Sequence, residues 1–124
     1  MGGLTALFDT SVLIGRTEGA GPDLDGDFAV SVISVGELYA GILLATHGPS
    51  QATRLQRLGV VLTEAAVLEV DRSVTSRYGE LRAAAGRAPS NDLWIAATAL
   101  AHDLELVTMD HAQAALPLVR TTLI

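Results

Sequence analysis

Apolar positions along the chain switch between two periods, and the switches mark out the elements. Leu4-Thr5-Ala6-Leu7-Phe8 and Phe28-Ala29-Val30-Ser31-Val32-Ile33 are short, nearly continuous apolar runs, the pattern of buried strands. A short helix is expected from Thr10 to about Gly15, then a Gly- and Asp-rich surface loop from Arg16 to Asp27 containing Pro22. From Ser34 onward Val35, Leu38, Tyr39, Ile42 and Leu43 recur on one helical stripe, with Ser34 as candidate cap and Gly48-Pro49 as the stop. A further helix is expected from about Ser50 to Leu62, an extended piece at residues 66–70, and a helix capped by Asp71 or Ser73 that runs to about Ala85. After a break at Gly86-Arg87-Ala88-Pro89-Ser90 comes the clearest stripe: Leu93, Ala96, Ala97, Leu100, Ala101 and Leu104. Its small alanines imply close packing. Leu106-Val107-Thr108 reads as another buried strand, followed by a short helix near residues 111–115 and a last edge strand at Leu118-Val119. Strands alternating with helices specify an α/β domain with a mainly parallel central sheet. Such sheets present functional groups beyond the carboxyl ends of their strands.

Length and composition narrow this picture. At 124 residues the chain fits one domain, residues 1–124. Mean hydropathy is +0.39, yet no apolar stretch approaches the roughly 18 to 20 residues of a membrane span, and Met1-Gly2-Gly3-Leu4 lacks the flank and core of a signal peptide. A cytoplasmic protein with no membrane partner is expected. Without cysteine there are no disulfides, thiol nucleophiles, cysteine-ligated zinc or iron–sulfur clusters. Without lysine, since all eight basic residues are arginines, phosphate-loop nucleotide hydrolases and Schiff-base enzymes are excluded as well. The formal charge of -6 argues against a broad basic surface that coats nucleic acid.

Four carboxylates fall at structural junctions. Asp9 ends the first strand, Glu37 lies in the first turn of the helix after the second, Asp92 opens the alanine-rich helix, and Asp110 follows the last well-defined strand. Each taken singly is explained by helix capping and by the positive end of the helix dipole. Taken together they are harder to explain that way, because Thr10 and Ser11 beside Asp9, and Ser90 and Asn91 beside Asp92, already supply caps. A parallel sheet brings such positions to one edge, where four carboxylates repel one another unless a cation neutralises them. Hard divalent ions such as Mg2+ or Mn2+ take oxygen ligands of this kind.

Phe8-Asp9-Thr10-Ser11-Val12-Leu13-Ile14, Ser34-Val35-Gly36-Glu37-Leu38, the block from Asn91 to Leu100, and Leu106-Val107-Thr108-Met109-Asp110 resemble, in order and at fitting intervals, the successive motifs of PIN-domain nucleases. In particular they resemble VapC-type toxins of bacterial toxin–antitoxin pairs. That resemblance implies a three-layer α/β/α fold and a Mg2+- or Mn2+-dependent endoribonuclease. It implies that Asp9, Glu37 and Asp92 are central metal ligands and catalytic acids, that Asp110 serves a second or weaker metal position, and that Thr108 supports the site through a hydroxyl hydrogen bond. The expected reaction is attack on an RNA phosphodiester by water activated at the cation. A homodimer and a cognate VapB-type antitoxin, wrapped in an apolar groove with an arginine among the acids, are implied partners. His111-Ala112 departs from the family pattern, which has another acidic or polar residue followed by an aromatic.

Around this centre Arg87, Arg82 and Arg16 are candidate contacts for RNA phosphates, with Arg72 and Arg77 on the same expected rim; a solvated helix face explains Arg72, Arg77 and Arg82 equally well. Trp94 and Tyr39 are read as core or dimer packing residues rather than base-stacking platforms, and His47, His102 and His111 as surface cations near helix ends. Two rivals remain to be weighed. A phosphoacceptor receiver domain also gathers acids at strand ends, but that resemblance requires a lysine. A catalytically silent α/β interaction module with a regulatory metal site is compatible with the same residues.

Overall fold

The structure, a computed structural model, describes residues 3–17 and 27–124, with the side chains of residues 16 and 17 outside the described set. The loop expected from Arg16 to Asp27 thus falls largely outside the described residues. Five strands, β1 (Ala6–Phe8), β2 (Ala29–Ser31), β3 (Ala66–Leu68), β4 (Glu105–Thr108) and β5 (Thr121–Leu123), form one sheet in the order β3-β2-β1-β4-β5, and every neighbouring pair is parallel. They alternate with α1 (Thr10–Thr17), α2 (Val32–Leu44), α3 (Gly48–Glu64), α4 (Arg72–Ala85), α5 (Ser90–Ala101) and α6 (His111–Ala114).

Period-two alternation divides the strand side chains between two cores. Leu7, Ala29, Ala66, Leu68 and Leu106 face one side, where they pack with Val74 and Leu81 of α4 and with Leu93, Ala96 and Ala97 of α5. Phe8, Phe28, Val30 and Val67 face the other, against Leu13 of α1, Val35 and Leu38 of α2, and Leu58 and Val61 of α3. Helices therefore cover both faces of the sheet, the three-layer α/β/α arrangement. Ala96, Ala97 and Ala99 of α5 lie at 0% exposure, while Leu100 and Ala101 of the stripe are partly buried, and Trp94 stacks on Tyr78 of α4 with ring centroids 3.8 Å apart. No helix among the described residues is long and apolar enough to cross a membrane.

Three local expectations are corrected. Helix α2 begins at Val32, two residues before the expected start, because Ser31 rather than Ser34 is its cap and accepts a hydrogen bond from Ile33 N–H at 3.1 Å. Leu104 is buried but lies beyond the end of α5, where its amide returns to Ala99 O at 2.8 Å. The last strand is β5, not Leu118-Val119: Pro117 is followed by a tight turn in which Val119 N–H reaches Pro117 O at 2.8 Å and Leu118 takes φ 72°.

The break between α4 and α5 also has a backbone cause. Gly86 closes α4 at φ 64° and ψ -109°, a conformation that a Cβ penalises. Nothing stands within 4 Å of a Cβ built there, so the penalty is purely conformational. Gly86→Ala is expected to lower stability by about 1–3 kcal/mol, measured by denaturant melting.

Candidate active site

The strand order reverses between β1 and β4: the chain first builds outward through β2 and β3, then crosses β1 to lay down β4. Reversals of this kind open a crevice at the carboxyl ends of the two strands. Phe8 is paired with Val107, so Asp9, just past the end of β1, lies beside Thr108, the last residue of β4.

Asp9 is 5% exposed and held on both oxygens. Its Oδ1 accepts from the Ser11 hydroxyl at 2.6 Å and from the Ser11 and Val12 amides at 3.1 and 3.4 Å. Its Oδ2 accepts from the Thr108 hydroxyl at 2.7 Å, and Thr108 Oγ1 in turn accepts from Asp110 N–H at 2.9 Å. One buried hydroxyl thereby links Asp9 to Asp110. On the opposite flank Thr10 donates to Glu37 Oε1 at 2.6 Å and stands 2.9 Å from the buried Ser34 hydroxyl. Asp110 caps α6 by accepting from Ala112 N–H at 2.9 Å. From the same helix Gln113 donates Nε2 to the backbone carbonyl of Asp92, also at 2.9 Å.

Three hydrogen-bonded links, Thr10 to Glu37, Thr108 between Asp9 and the Asp110 amide, and Gln113 to the Asp92 backbone carbonyl, are joined through the chain itself and set the four acids along one edge of the sheet. The electrostatics agree. The Asp92 carboxyl is pushed above its ordinary value first by burial and then by the negative charges of Asp110, Glu37 and Asp9. Capping accounts for one oxygen of Asp9 and one of Asp110. It does not account for Glu37, which sits five residues into α2 rather than in its first turn, beyond reach of the free amides.

The donor set is all oxygen and mutually repulsive, which fits a hard divalent cation in chemistry and charge. Among the described residues, however, no group of three acidic or histidine side chains is already arranged as an ion site. The fit is one of donor type and potential, not of a preformed rosette.

Thr10, Ser11 and Gln113 are parts of this network beyond the expected site residues. Ser11 is more than a spare cap: its hydroxyl also accepts from Met109 N–H at 2.9 Å, joining the β1 and β4 ends a second time. Its place beside Asp9 in the sequence was the available signal. Gln113 carried none, because a polar residue in a four-residue helix is ordinarily exposed; here it is 1% exposed, with Oε1 unpartnered among the described residues. Thr108→Val keeps the shape but strands Asp9 Oδ2 and Asp110 N–H. A loss of about 1–3 kcal/mol in a thermal melt is expected, together with weaker activity.

The arginines divide. All five donors of Arg82 are engaged: Nη1 on Gly86 O and Ala88 O, Nη2 on Tyr78 and Ser90 hydroxyls, and Nε on Tyr78. Arg82 is accordingly a strut across the α4–α5 break, with no donor left for a phosphate in this arrangement. Its neighbours also lower the Tyr78 phenol below its usual range, chiefly through the hydrogen bond from Arg82. Arg77 pairs with Glu80 at 3.1 Å on the exposed face of α4. Arg87 and Arg72 are exposed, and the Arg16 side chain lies outside the described residues. Tyr39 is 51% exposed, so of the two packing roles expected for it the core one does not hold.

Comparison with known proteins places a family, two relatives and two solved structures beside this chain. The PIN domain family matches residues 6–118. Ribonuclease VapC4 of Mycobacterium tuberculosis is 40% identical over 119 residues, which span 90% of this chain and 91% of the relative. Ribonuclease VapC5 of the same organism is 35% identical over 117 residues, or 89% and 86% of the two chains. Among solved structures, that of VapBC-5, a member of the VapBC family of toxin–antitoxin systems from Mycobacterium tuberculosis, superposes with a TM-score of 0.78 at 34% identity over 97% of each chain. VapBC2 from Rickettsia felis, solved bound to a promoter DNA fragment, superposes at 0.82 over 98% and 99% of the two chains; at 20% identity this is a likeness of fold alone. Sheet order, motif positions and these identities agree: the chain belongs to the PIN domain family, among its VapC relatives.

Proposed function

We propose that the chain is a divalent-cation-dependent endoribonuclease toxin, hydrolysing RNA phosphodiesters at the edge formed by Asp9, Glu37, Asp92 and Asp110, and silenced by a cognate VapB-type antitoxin. The observation that carries this reading is the gathering of the four acids on one sheet edge, where Thr10 holds Glu37, Thr108 holds Asp9 and the Asp110 amide, Gln113 holds the Asp92 backbone, and the Asp92 carboxyl feels the charges of the other three. Two relatives named as ribonucleases support it. Glu37 in particular has no capping role to explain its place.

In this reading Asp9, Glu37 and Asp92 would hold a Mg2+ or Mn2+ ion, with Asp110 serving a second or weaker position. When bound, such an ion supplies Lewis-acid activation of water and offsets the charge of the phosphate. The chain's own part is positional. Ser11 and Thr108 fix the Asp9 carboxylate, Thr10 orients Glu37, and Gln113 ties the first turn of α5 to α6. Thr108 also sets the start of the Asp110 loop. No histidine belongs to the string, so proton transfer by imidazole is not invoked. Arg87 and Arg16 remain the proposed outer phosphate contacts.

The partner proposals rest on surface. Leu43 and Leu44 at the end of α2 are 80% and 76% exposed, and Leu55, Val60 and Leu62 of α3 are also exposed. Apolar surface of this kind is what an antitoxin segment and a second copy of the chain would cover between them. A short single-stranded RNA incubated with the protein and Mn2+ is expected to be cut internally, with cleavage abolished by a chelator and by the antitoxin. Intact RNA in excess Mn2+ would favour the silent interaction module instead.

A further inference from the structure

Two cavities meet at Arg54. The first, of about 210 Å³, is walled by Glu37, Gly41, Arg54 and Arg57, and so shares a carboxylate with the acidic string. The second, of about 300 Å³, continues from it past the same two arginines to His47, Ser50 and Thr53. Together they form a cleft that starts between α2 and α3 at Glu37 and continues along α3. Arg54 is half-buried and donates through Nη1 to the Gly41 carbonyl of α2, which fixes its guanidinium in the shared wall and uses one of five N–H groups. Arg57, 7% exposed and engaged within the protein, lines both cavities from behind.

We propose that this cleft grips a phosphate of the RNA strand next to the one being cut, with Arg54 as the contact. The proposal rests on the nuclease reading. A chain of net charge -6 with four clustered acids repels a polyanion, so a strand that reaches those acids needs cationic contacts immediately beside them. The cleft offers guanidinium, imidazole and hydroxyl groups in continuity with Glu37, and no carboxylate among the described residues lines its second cavity. Planar guanidinium groups suit phosphate oxygens. Arg82, Arg77 and Arg120 do not compete for the role: the first is fully bonded, and the others are paired with Glu80 and Asp103 on the surface.

The test uses the full chain with Asp9→Asn, so that a short single-stranded RNA is bound without being cut, and follows fluorescence anisotropy across a salt series. Adding Arg54→Gln should weaken binding about tenfold and reduce the slope of log affinity against log salt by about 0.7, the share of one phosphate contact on a single strand. Thr53→Glu, at an exposed cleft position, should weaken binding in the same sense without removing Arg54; it keeps the test decisive if Arg54→Gln unfolds. Neutral methylphosphonate links, introduced one at a time, should reveal one position beside the cleavage site whose neutralisation weakens the Asp9→Asn protein but no longer matters once Arg54 is Gln. An unchanged salt slope in Arg54→Gln, or a methylphosphonate effect that persists there, overturns the proposal; an acidic protein segment would then be the better occupant. Failure of the nuclease reading is separate, since it appears as uncut RNA with the unaltered protein and Mn2+.

Discussion

Replacing Asp9 by Asn is expected to lower RNA cleavage by roughly a thousandfold, about 4 kcal/mol of transition-state stabilisation, while leaving the fold in place. The large effect follows from position. Asp9 ends the central strand, is nearly inaccessible, and has both oxygens oriented by Ser11 and Thr108. Removing its charge removes the best-anchored ligand of the proposed site. The fold should survive because Asn keeps a carbonyl oxygen for the α1 amides, and its amide can donate to the Thr108 hydroxyl; the lost charge-assisted bonds set a stability cost of about 1–3 kcal/mol. Single-turnover cleavage with Mn2+, paired with a thermal melt, measures both. Full metal-dependent activity in this variant would remove Asp9 from the site.

Asp92→Asn should move stability and activity in opposite directions. Burial, then Asp110, Glu37 and Asp9, raise the Asp92 carboxyl in the folded state. An acid raised on folding loses its proton more readily from the unfolded chain, so folding loses stability as pH climbs from the ordinary carboxylate range through the raised value. Well below that range both states are protonated and the penalty is absent. The Asn variant never carries the charge. It should therefore melt higher than the unaltered protein at neutral pH and nearly equally at strongly acidic pH, while cleavage falls roughly a thousandfold. Mn2+ gives an independent reading: a ligand at a hundred times its dissociation constant stabilises a fold by about 2.7 kcal/mol. The unaltered protein should gain melting temperature with Mn2+, and Asp92→Asn should lose most of that gain. A melt of the unaltered protein indifferent to Mn2+ would contradict the cation-binding reading of the acids, whatever the cleavage assay shows.

The two predictions differ because the acids differ in environment. Asp9 is saturated with donors, whereas Asp92 has its carboxyl among like charges and, among the described residues, only its backbone carbonyl held by a side chain, that of Gln113. A bare sequence cannot make that distinction. Both are aspartates within two residues of a Ser or Thr at a helix start, and both satisfy the same preference for acids there.

What the sequence determined by itself was whatever depends on local periodicity and composition. The short apolar runs around Leu7, Val30 and Val107 demanded a sheet covered on both faces, and the alanine stripe of α5 demanded close packing against it. Missing lysine and cysteine excluded whole chemistries, and the ordered motifs singled out Asp9, Glu37, Asp92 and Asp110. Tertiary structure decided the rest, because it turns on which chain ends the sheet order makes neighbours. Only the β1–β4 pairing sets Thr108 against Asp9, only the α6 backbone turns Gln113 inward, and only the α4–α5 break engages every donor of Arg82 while Arg54 lines a cleft beside Glu37. Hydrogen bonds between residues about a hundred positions apart leave no local trace in the chain; their partners meet because parallel strands must cross over before they can pair.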